Sequence, residues 1–527
     1  MHKFFNTAGP TKANLHYHIN PLSRLNWDEI RLLIDQQKYF LLHAPRQTGK
    51  TSTLLEMMHR LNQEGKYVCA YANIEGAQAA RGNASDGIAA ACSAIARSIE
   101  DYTGSVDVNV WWTQEGRQHQ SQDQLTQLLR YWAKHSPKPT ILLLDEVDAL
   151  IGDTLISLLR QIRAGYAQRP EAFPQAMILC GVRDIKDYRI HTKDQEIITG
   201  GSAFNIKATS LVMESFTFEE CKQLYWEHTK ETGQVFDKAI FPKLWSDTKG
   251  QPWLVNALAY QMTSENRTLR DRSIKIEFEH YMKAREELIQ SRATHLDQLT
   301  DKLREQRVYN VISAILSQVD ASDAHFDDRD LEYVQDLGLI VRKPFVHISN
   351  DIYQEVIPRE LTIAKQQSIV EQDLAWYLNS DNTINFAKLM TAFQQFFREN
   401  SDSWIERFDY KEAGPQLLLQ AFLQRLINGG GRINREYALG RKRTDIFVEW
   451  PTSDKGFFGP VQRVVLETKL LRANLEKTIE EGIAQVSEYA RTVGAGEMHL
   501  IIFDRKSRDW EQKIWHKRVD GIDVWGC

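Results

Sequence analysis

The stretch "LLHAPRQTGKTS", residues 41–52, decides the fold of the N-terminal part of the chain. The apolar run "KYFLLHA" (38–44) leads into Gly49-Lys50-Thr51, and "KTSTLLEMMHRLNQEG" continues with apolar residues at helical spacing. Ala44 to Thr51 read AxxxxGKT, close to the GxxxxGK[ST] rule for a phosphate-cradling loop between a strand and a helix. In such a loop, backbone N–H groups and the helix N-terminus attract phosphate oxygens. Lys50 would add a charge at the β- and γ-phosphates, and Thr51 a hydroxyl for Mg2+. The expected contacts of a nucleoside triphosphate are Ala44, Pro45, Arg46, Gln47, Thr48, Gly49, Lys50, Thr51 and Ser52. Ala44 stands where the rule has glycine, which is mild if that backbone need not take a positive φ.

About 95 residues on, "ILLLDEVDAL" (141–150) supports the same reading. Four apolar residues end in Asp145 and Glu146, the layout of a strand that delivers two acids to a phosphate site. Asp145 would hold Mg2+ through water, and Glu146 would polarise the attacking water as general base. A strand and two helices are expected between the loop and this strand. Candidate strands at 38–44, 66–74, 139–147, 175–182 and 203–211 alternate with helical patterns such as "SQDQLTQLLRYWAKH" (121–135). Nearly continuous apolar strands separated by helices predict a parallel αβα sandwich over 1–213.

Further along, 214–295 reads as a helical lid. Thr217 with Glu220 makes a capping box, and Pro252 stands in the first turn of a helix over 250–262, where its missing N–H costs nothing. Residues 296–361 read as a winged-helix-like module with a hairpin at 337–349, and 362–405 as a helical linker. The remainder, 406–527, returns to mixed α/β with a final strand at 498–504. The whole is an α/β multidomain protein.

The first 360 residues or so resemble the AAA+/STAND superfamily of P-loop ATPases, particularly its bacterial and archaeal AAA-like group. "FFNTAGP" (4–10) looks like that group's adenine-side segment. "ILCGVRD" (178–184) looks like its sensor strand, and "GQPWLVN" (250–256) like its GxP lid helix. The resemblance implies ATP and Mg2+ as cofactors, Arg183 near the γ-phosphate, and Pro252 beside the nucleotide. A surface arginine and ordinary helix-start packing, shared by Pro252 and Trp253, are the competing readings. Arg160 and Arg163, in "LLRQIRAGYAQR", are candidates for a finger reaching a neighbouring subunit in a homo-oligomer, against a solvated helix face.

At the far end, "RTDIFVEW" alternates so that Asp445, Phe447 and Glu449 share one face of a strand. "VVLETKL" puts Glu467 and Lys469 on one face of the next, after a loop rich in Pro, Gly and Ser. Antiparallel pairing would gather Asp445, Glu467 and Lys469. Two carboxylates can hold Mg2+ or Mn2+ against a phosphodiester, and a lysine can orient the attacking water. The pattern D-(x21)-ExK resembles the PD-(D/E)xK nuclease superfamily, and "QVSEY" (485–489) fits the QxxxY motif of its RecB-like branch. Gln485 and Tyr489, four apart, share a helix face. The resemblance implies a metal site of Asp445, Glu467 and Thr468, with Lys469, Gln485 and Tyr489 completing it and Glu412 as an upstream acid. Surface salt bridges are the competing reading of these acids and lysine. Thr444 replaces the family's leading proline. Arg441, Lys442 and Arg443 would meet the phosphate backbone of nucleic acid, DNA in the first instance.

Bulk properties narrow the classes. The 527 residues carry a net charge of −5 and 42% hydrophobic residues, so nucleic acid would be held by a local patch rather than by overall charge. No apolar run approaches the roughly 20 residues needed to cross a bilayer. Five cysteines without CxxC spacing, and an opening without a secretion signal, suggest reduced thiols in a cytoplasm. "HYH" (16–18) is read as local packing. The expected function is an ATPase coupled to a metal-dependent nuclease, in prokaryotic defence or DNA processing. The alternative is an ATP-switched scaffold or DNA loader whose nuclease-like domain binds without cutting.

Overall fold

The computed structural model describes residues 3–182, 189–191, 197–199, 207–291, 299, 301–317, 327–366, 376–405, 415, 418–420, 422–423, 431–435, 446–453, 456–471, 474–504 and 509–527. These form two compact units. One comprises Met1–Ser291 with Asp336–Gly338, the other Arg292–Gln335 with Leu339–Cys527.

The first unit is built on strands β1 (Tyr39–His43), β2 (Val68–Asn73), β3 (Thr140–Asp145) and β4 (Ala176–Gly181). A short antiparallel pair, β5 (Arg189–His191) and β6 (Ile197–Thr199), precedes β7 (Lys207–Val212). The main sheet has the order β2-β3-β4-β1-β7, and every pairing is parallel. Positions on β1, β3 and β4 are buried throughout, because helices cover both faces. Helices α1 (Trp27–Asp35) and α2 (Lys50–Gln63) pack Ile30, Leu54 and Met57 on Phe40 and Leu42. On the other face lie α3 (Ala84–Thr103), α4 (Val106–Gln114), α5 (Gln124–His135) and α6 (Gly152–Ala164), which bury Ile95, Trp112, Trp132 and Leu158 against Leu41 and Leu142. Four helices, α2 to α5, therefore stand between the loop and the Asp145 strand, where the sequence pattern suggested two.

Helices α7 (Phe218–Thr232), α8 (Ile240–Thr248), α9 (Pro252–Tyr260) and α10 (Phe278–Gln290) complete this unit. Thr217 and Glu220 form the reciprocal capping box at the start of α7. Pro252 is the first residue of α9, whose N-cap, Gln251, accepts from the Leu254 N–H. Gly250 has φ +74°, and a Cβ there would lie 1.9 Å from the Phe216 carbonyl oxygen. Only glycine fits both that conformation and that approach.

In the second unit, α11 (Gln306–Ser317) and all but the last residue of α12 (Asp328–Asp336) precede the antiparallel pair β8 (Ile340–Val341) and β9 (His347–Ile348), then α13 (Asp351–Gln366). Helix α14 (Phe386–Ile405) falls in the stretch expected to be a linker. It packs instead in the C-terminal core: Phe393 and Phe397 lie against Phe503, and Gln394 Nε2 donates to the carbonyls of Trp515 and Gly526. Among the described residues the C-terminal sheet has six strands: β10 (Arg432–Arg435), β11 (Ile446–Pro451), β12 (Val461–Leu470), β13 (Glu497–Phe503), β14 (Trp515–Val519) and β15 (Ile522–Gly526). Its order is β10-β11-β12-β13-β15-β14, so the 498–504 strand is followed by two more and is central rather than final. The β11–β12 pair is antiparallel, as expected of the hairpin, and β12–β13 is parallel. Helix α15 (Leu475–Val493) crosses between β12 and β13, and α16 (Trp510–Lys513) is a single turn before β14. Among the described residues, no helix is long and apolar enough to cross a membrane, and all five cysteines are buried, free thiols.

Candidate functional sites

The loop after β1 turns through positive φ at Gln47 (57°) and Gly49 (88°), and Ala44 is not among the positive-φ residues. A methyl in place of the first glycine therefore carries no conformational cost. Gly49 heads α2 with no side-chain cap, which leaves the first-turn N–H groups to a ligand. Lys50 is buried, its Nζ donating to the carbonyls of Ala44 and Pro45 at 3.0 Å each. The Thr51 hydroxyl donates to Asp145 Oδ2 at 2.8 Å. Asp145 is fully buried, and its Oδ1 accepts from the Glu146 N–H at 3.0 Å. Glu146 has φ 59°, a left-handed turn that takes its side chain off the strand direction. Burial, and then the neighbouring Asp148 carboxylate, push the Glu146 carboxyl above its usual range, with Lys50 opposing.

Two residues that the sequence did not single out complete this geometry. The Tyr71 hydroxyl, on β2, donates to Asp145 Oδ2 at 3.0 Å, so Thr51 and Tyr71 share one carboxylate oxygen. Arg24 braces the loop from behind: Nη1 donates to the Thr48 carbonyl at 2.6 Å, and the guanidinium lies 5.1 Å from the Phe216 ring. Burial pushes the Arg24 pKa down to about 10, which leaves it charged near neutrality. Tyr71 sits on an ordinary strand pattern, but it pairs with Leu143, two residues before Asp145. That register was the signal available.

These groups open into a cavity of about 460 Å3, lined by Gln47 to Ser52, Tyr71 and Glu146, and also by Asn6 to Thr11, Pro252 and Trp253. Its volume falls in the ordinary range for ligand sites. The N-terminal segment is tied to both walls. The Thr11 N–H donates to Ser52 Oγ at 2.9 Å, and Trp253 Nε1 donates to the Thr7 carbonyl at 2.9 Å. His16 packs edge-on against Phe4, whereas His18 lines the cavity. Arg160 and Arg163 lie exposed on α6, and Arg183 lies outside the described residues. The uncapped helix start, the buried lysine and the Thr51–Asp145 pair suit a triphosphate with Mg2+.

A second constellation lies on the C-terminal sheet. Glu467 is fully buried, and its Oε1 is 2.7 Å from Lys469 Nζ. Lys469 also donates to Gln485 Oε1 on α15. The helix comes this close because Gly482 rests on Leu500, where a Cβ would meet Leu500 Cδ1 at 2.5 Å. Tyr489, one turn beyond Gln485, packs on the same core as Phe447 and Val465. Thr468 alternates to the opposite face from Glu467 and Lys469, so any metal contact from it falls to its main chain. Asp445, Arg441, Lys442, Arg443 and Glu412 lie outside the described residues; the ladder's last described pair before Asp445 is Ile446 with Leu466. Among the described residues, no three acids, histidines or cysteines converge as a metal site.

A family model described as an AAA domain matches residues 33–188, which include the phosphate loop, the Asp145–Glu146 strand end and four of the five strands of the parallel sheet. No curated protein matches the chain. Similar solved structures include a Walker-type ATPase of Pyrococcus abyssi, with 14% identity over 67% of this chain and 99% of that one and a TM-score of 0.45. Others are Cdc6p from Pyrobaculum aerophilum (14%, 64% and 93%, 0.36) and the RuvB Holliday junction branch migration motor of Thermotoga maritima (12%, 65% and 98%, 0.32). By the family match, residues 33–188 of the N-terminal unit form an AAA-type domain, and the P-loop lies within it.

Proposed function

We propose that the chain is an ATP-controlled, metal-dependent nuclease. One observation carries the nuclease half. Glu467, Lys469 and Gln485, picked out in the sequence by two separate motifs, meet across β12 and α15, with Glu467 Oε1 2.7 Å from Lys469 Nζ. In this reading, Asp445 and Glu467 would hold a divalent ion, and that ion would supply Lewis-acid stabilisation to the scissile phosphodiester. Lys469 orients the attacking water, Gln485 and Tyr489 hold Lys469 and the helix in place, and Arg441, Lys442 and Arg443 grip the nucleic-acid backbone.

The ATPase half assigns Lys50 to the β- and γ-phosphates, Thr51 and Asp145 to Mg2+, and Glu146 to the attacking water. Arg183 would sense the γ-phosphate, and Pro252 would face the nucleoside from a helical lid over 214–295. The winged-helix-like stretch over 296–361 would relay the nucleotide state to the nuclease domain. DNA processing or defence against foreign nucleic acid is the setting that suits this pairing.

A second reading is favoured by the same ion pair: Lys469 is satisfied by Glu467 and Gln485, as in a structural pair in a domain that binds without cutting. Counting bound Mn2+ by electron paramagnetic resonance separates the two. The nuclease reading expects an ATP-dependent ion that Thr51→Ala removes, and an ATP-independent ion that Glu467→Ala removes. A protein that binds no Mn2+ without ATP contradicts it.

A further inference from the structure

The chain ahead of α1 makes a closed loop beside the nucleotide cavity, and its neck is firmly held. The Phe4 N–H donates to the Leu15 carbonyl and the Tyr17 N–H to the Phe4 carbonyl, both at 3.1 Å. Phe5 is fully buried, its ring 4.9 Å from that of Tyr17 and 5.5 Å from that of Tyr225 on α7. Surface loops of this length whose ends stay together are compact, and many carry function.

One limb of the loop, residues 6–11, lines the cavity. It is braced within itself: Asn6 Oδ1 accepts from the Ala8 N–H at 3.2 Å, and Asn6 Nδ2 donates to the Gly9 carbonyl at 2.9 Å. Its tip stands clear. Ala8, Gly9 and Pro10 are exposed, Gly9 turns at φ +69°, and a Cβ there would meet nothing within 4 Å. A single bond flanks the tip on either side, from Trp253 Nε1 to the Thr7 carbonyl and from the Thr11 N–H to Ser52 Oγ. From Thr7 to Thr11 the backbone reaches at most about 14 Å, so the limb bridges α9 and α2 directly. Both ties are neutral hydrogen bonds, and losing one shifts an opening equilibrium by only about fivefold. An anchored neck with a lightly tied tip is the division of stability that a moving lid needs.

We propose that residues 6–11 are the gate of the nucleotide cavity, a strap tied to α9 at one end and to the phosphate-loop helix at the other, whose release sets the rate of nucleotide entry and exit. The inference rests on the nucleotide site described above. The ties join strap to wall and contain no ligand atom, so weakening one lowers the barrier in both directions. The test uses the full chain with Mg2+ and labelled ADP, with binding and release followed by rapid filtration and release timed by excess unlabelled ADP. Trp253→Phe removes the N–H and keeps an aromatic ring, and Ser52→Ala removes the acceptor. Each is expected to speed association and release together by about fivefold, with affinity held within about twofold. Unchanged rates in either variant overturn the inference. So does faster release with a matching loss of affinity and unchanged association, which would make these residues ligand contacts. Hydrogen exchange of the wild type without nucleotide stands even if a variant fails to fold. The Thr11 amide should exchange at least about tenfold faster than the Phe4 and Tyr17 amides of the neck, and equal protection overturns the gate. A wild type that binds no ADP or ATP sinks the nucleotide site itself, whereas failure of the gate alone leaves that binding intact.

Discussion

The Thr51 hydroxyl donates to Asp145 Oδ2 across 2.8 Å, although 94 residues separate the two in the chain. The pair joins the first turn of α2 to the end of β3, the two places from which a Mg2+ ion beside a triphosphate is held in P-loop ATPases. Thr51→Val keeps the shape of the side chain and removes the hydroxyl. It is expected to lower ATP turnover by about 100-fold and to raise the Mg2+ needed for half-maximal activity. Steady-state ATPase assays across a Mg2+ series check both, and an unchanged Mg2+ requirement speaks against the assignment of Thr51.

Glu146 leaves its strand in a left-handed turn, with a carboxyl that burial and Asp148 make more basic than usual. That is the environment of a general base. Glu146→Gln is expected to cut ATP hydrolysis by about 100-fold or more while leaving ATP affinity within about twofold. Filter binding of labelled ATP alongside single-turnover hydrolysis reads the two effects separately. Parallel loss of binding and turnover would move Glu146 from catalysis to structure.

Tyr71 donates to the same oxygen as Thr51, at 3.0 Å. Outer partners of this kind orient a metal-binding carboxylate. Tyr71→Phe preserves the ring and its packing, so stability should hold, while the Mg2+ requirement of the ATPase rises by roughly 10-fold. A Mg2+ titration of the variant, with its melting temperature as control, settles the point; lost stability without any Mg2+ effect contradicts it.

What could be read from the sequence was whatever is local along the chain. Gly49, Lys50 and Thr51 are contiguous, and Gln485 and Tyr489 share a helix face by spacing alone. Tyr71 and Arg24 were missed because each reaches its site from a separate element, through strand register and through a brace from before β1. The linker expected over 362–405 failed for another reason. Phe386, Leu389, Met390, Phe393 and Phe397 are all buried, and they recur at helical spacing. That stripe marks a core-facing helix, and counting it would have assigned α14 to the C-terminal core. The strand β14 was passed over because "WHKRV" is too charged to look like a strand; most of its positions are exposed, as an edge strand allows.

Gly250 ends the approach to α9 in a conformation that only glycine takes readily, with the Phe216 carbonyl against its α-carbon. Gly250→Ala combines a left-handed residue with a direct backbone clash. It should destabilise the first unit by about 2–4 kcal/mol, whereas Gly76→Ala, with open space around it, should cost well under 1 kcal/mol by comparison, about 0.5 at most. Urea unfolding of both variants gives the difference; equal midpoints would contradict the packing described here.

The central claim is that one chain couples ATP to phosphodiester cleavage, and incubation with labelled DNA and RNA, single- and double-stranded, tests it most directly. Wild type is compared with Asp445→Ala, Glu467→Ala and Lys50→Ala in the presence of Mg2+ or Mn2+, with and without ATP. The account predicts cleavage that needs the metal, disappears in Asp445→Ala and Glu467→Ala without loss of ATP binding, and changes its ATP dependence in Lys50→Ala. No cleavage of any substrate by the wild type, or cleavage that survives both carboxylate substitutions, would contradict it.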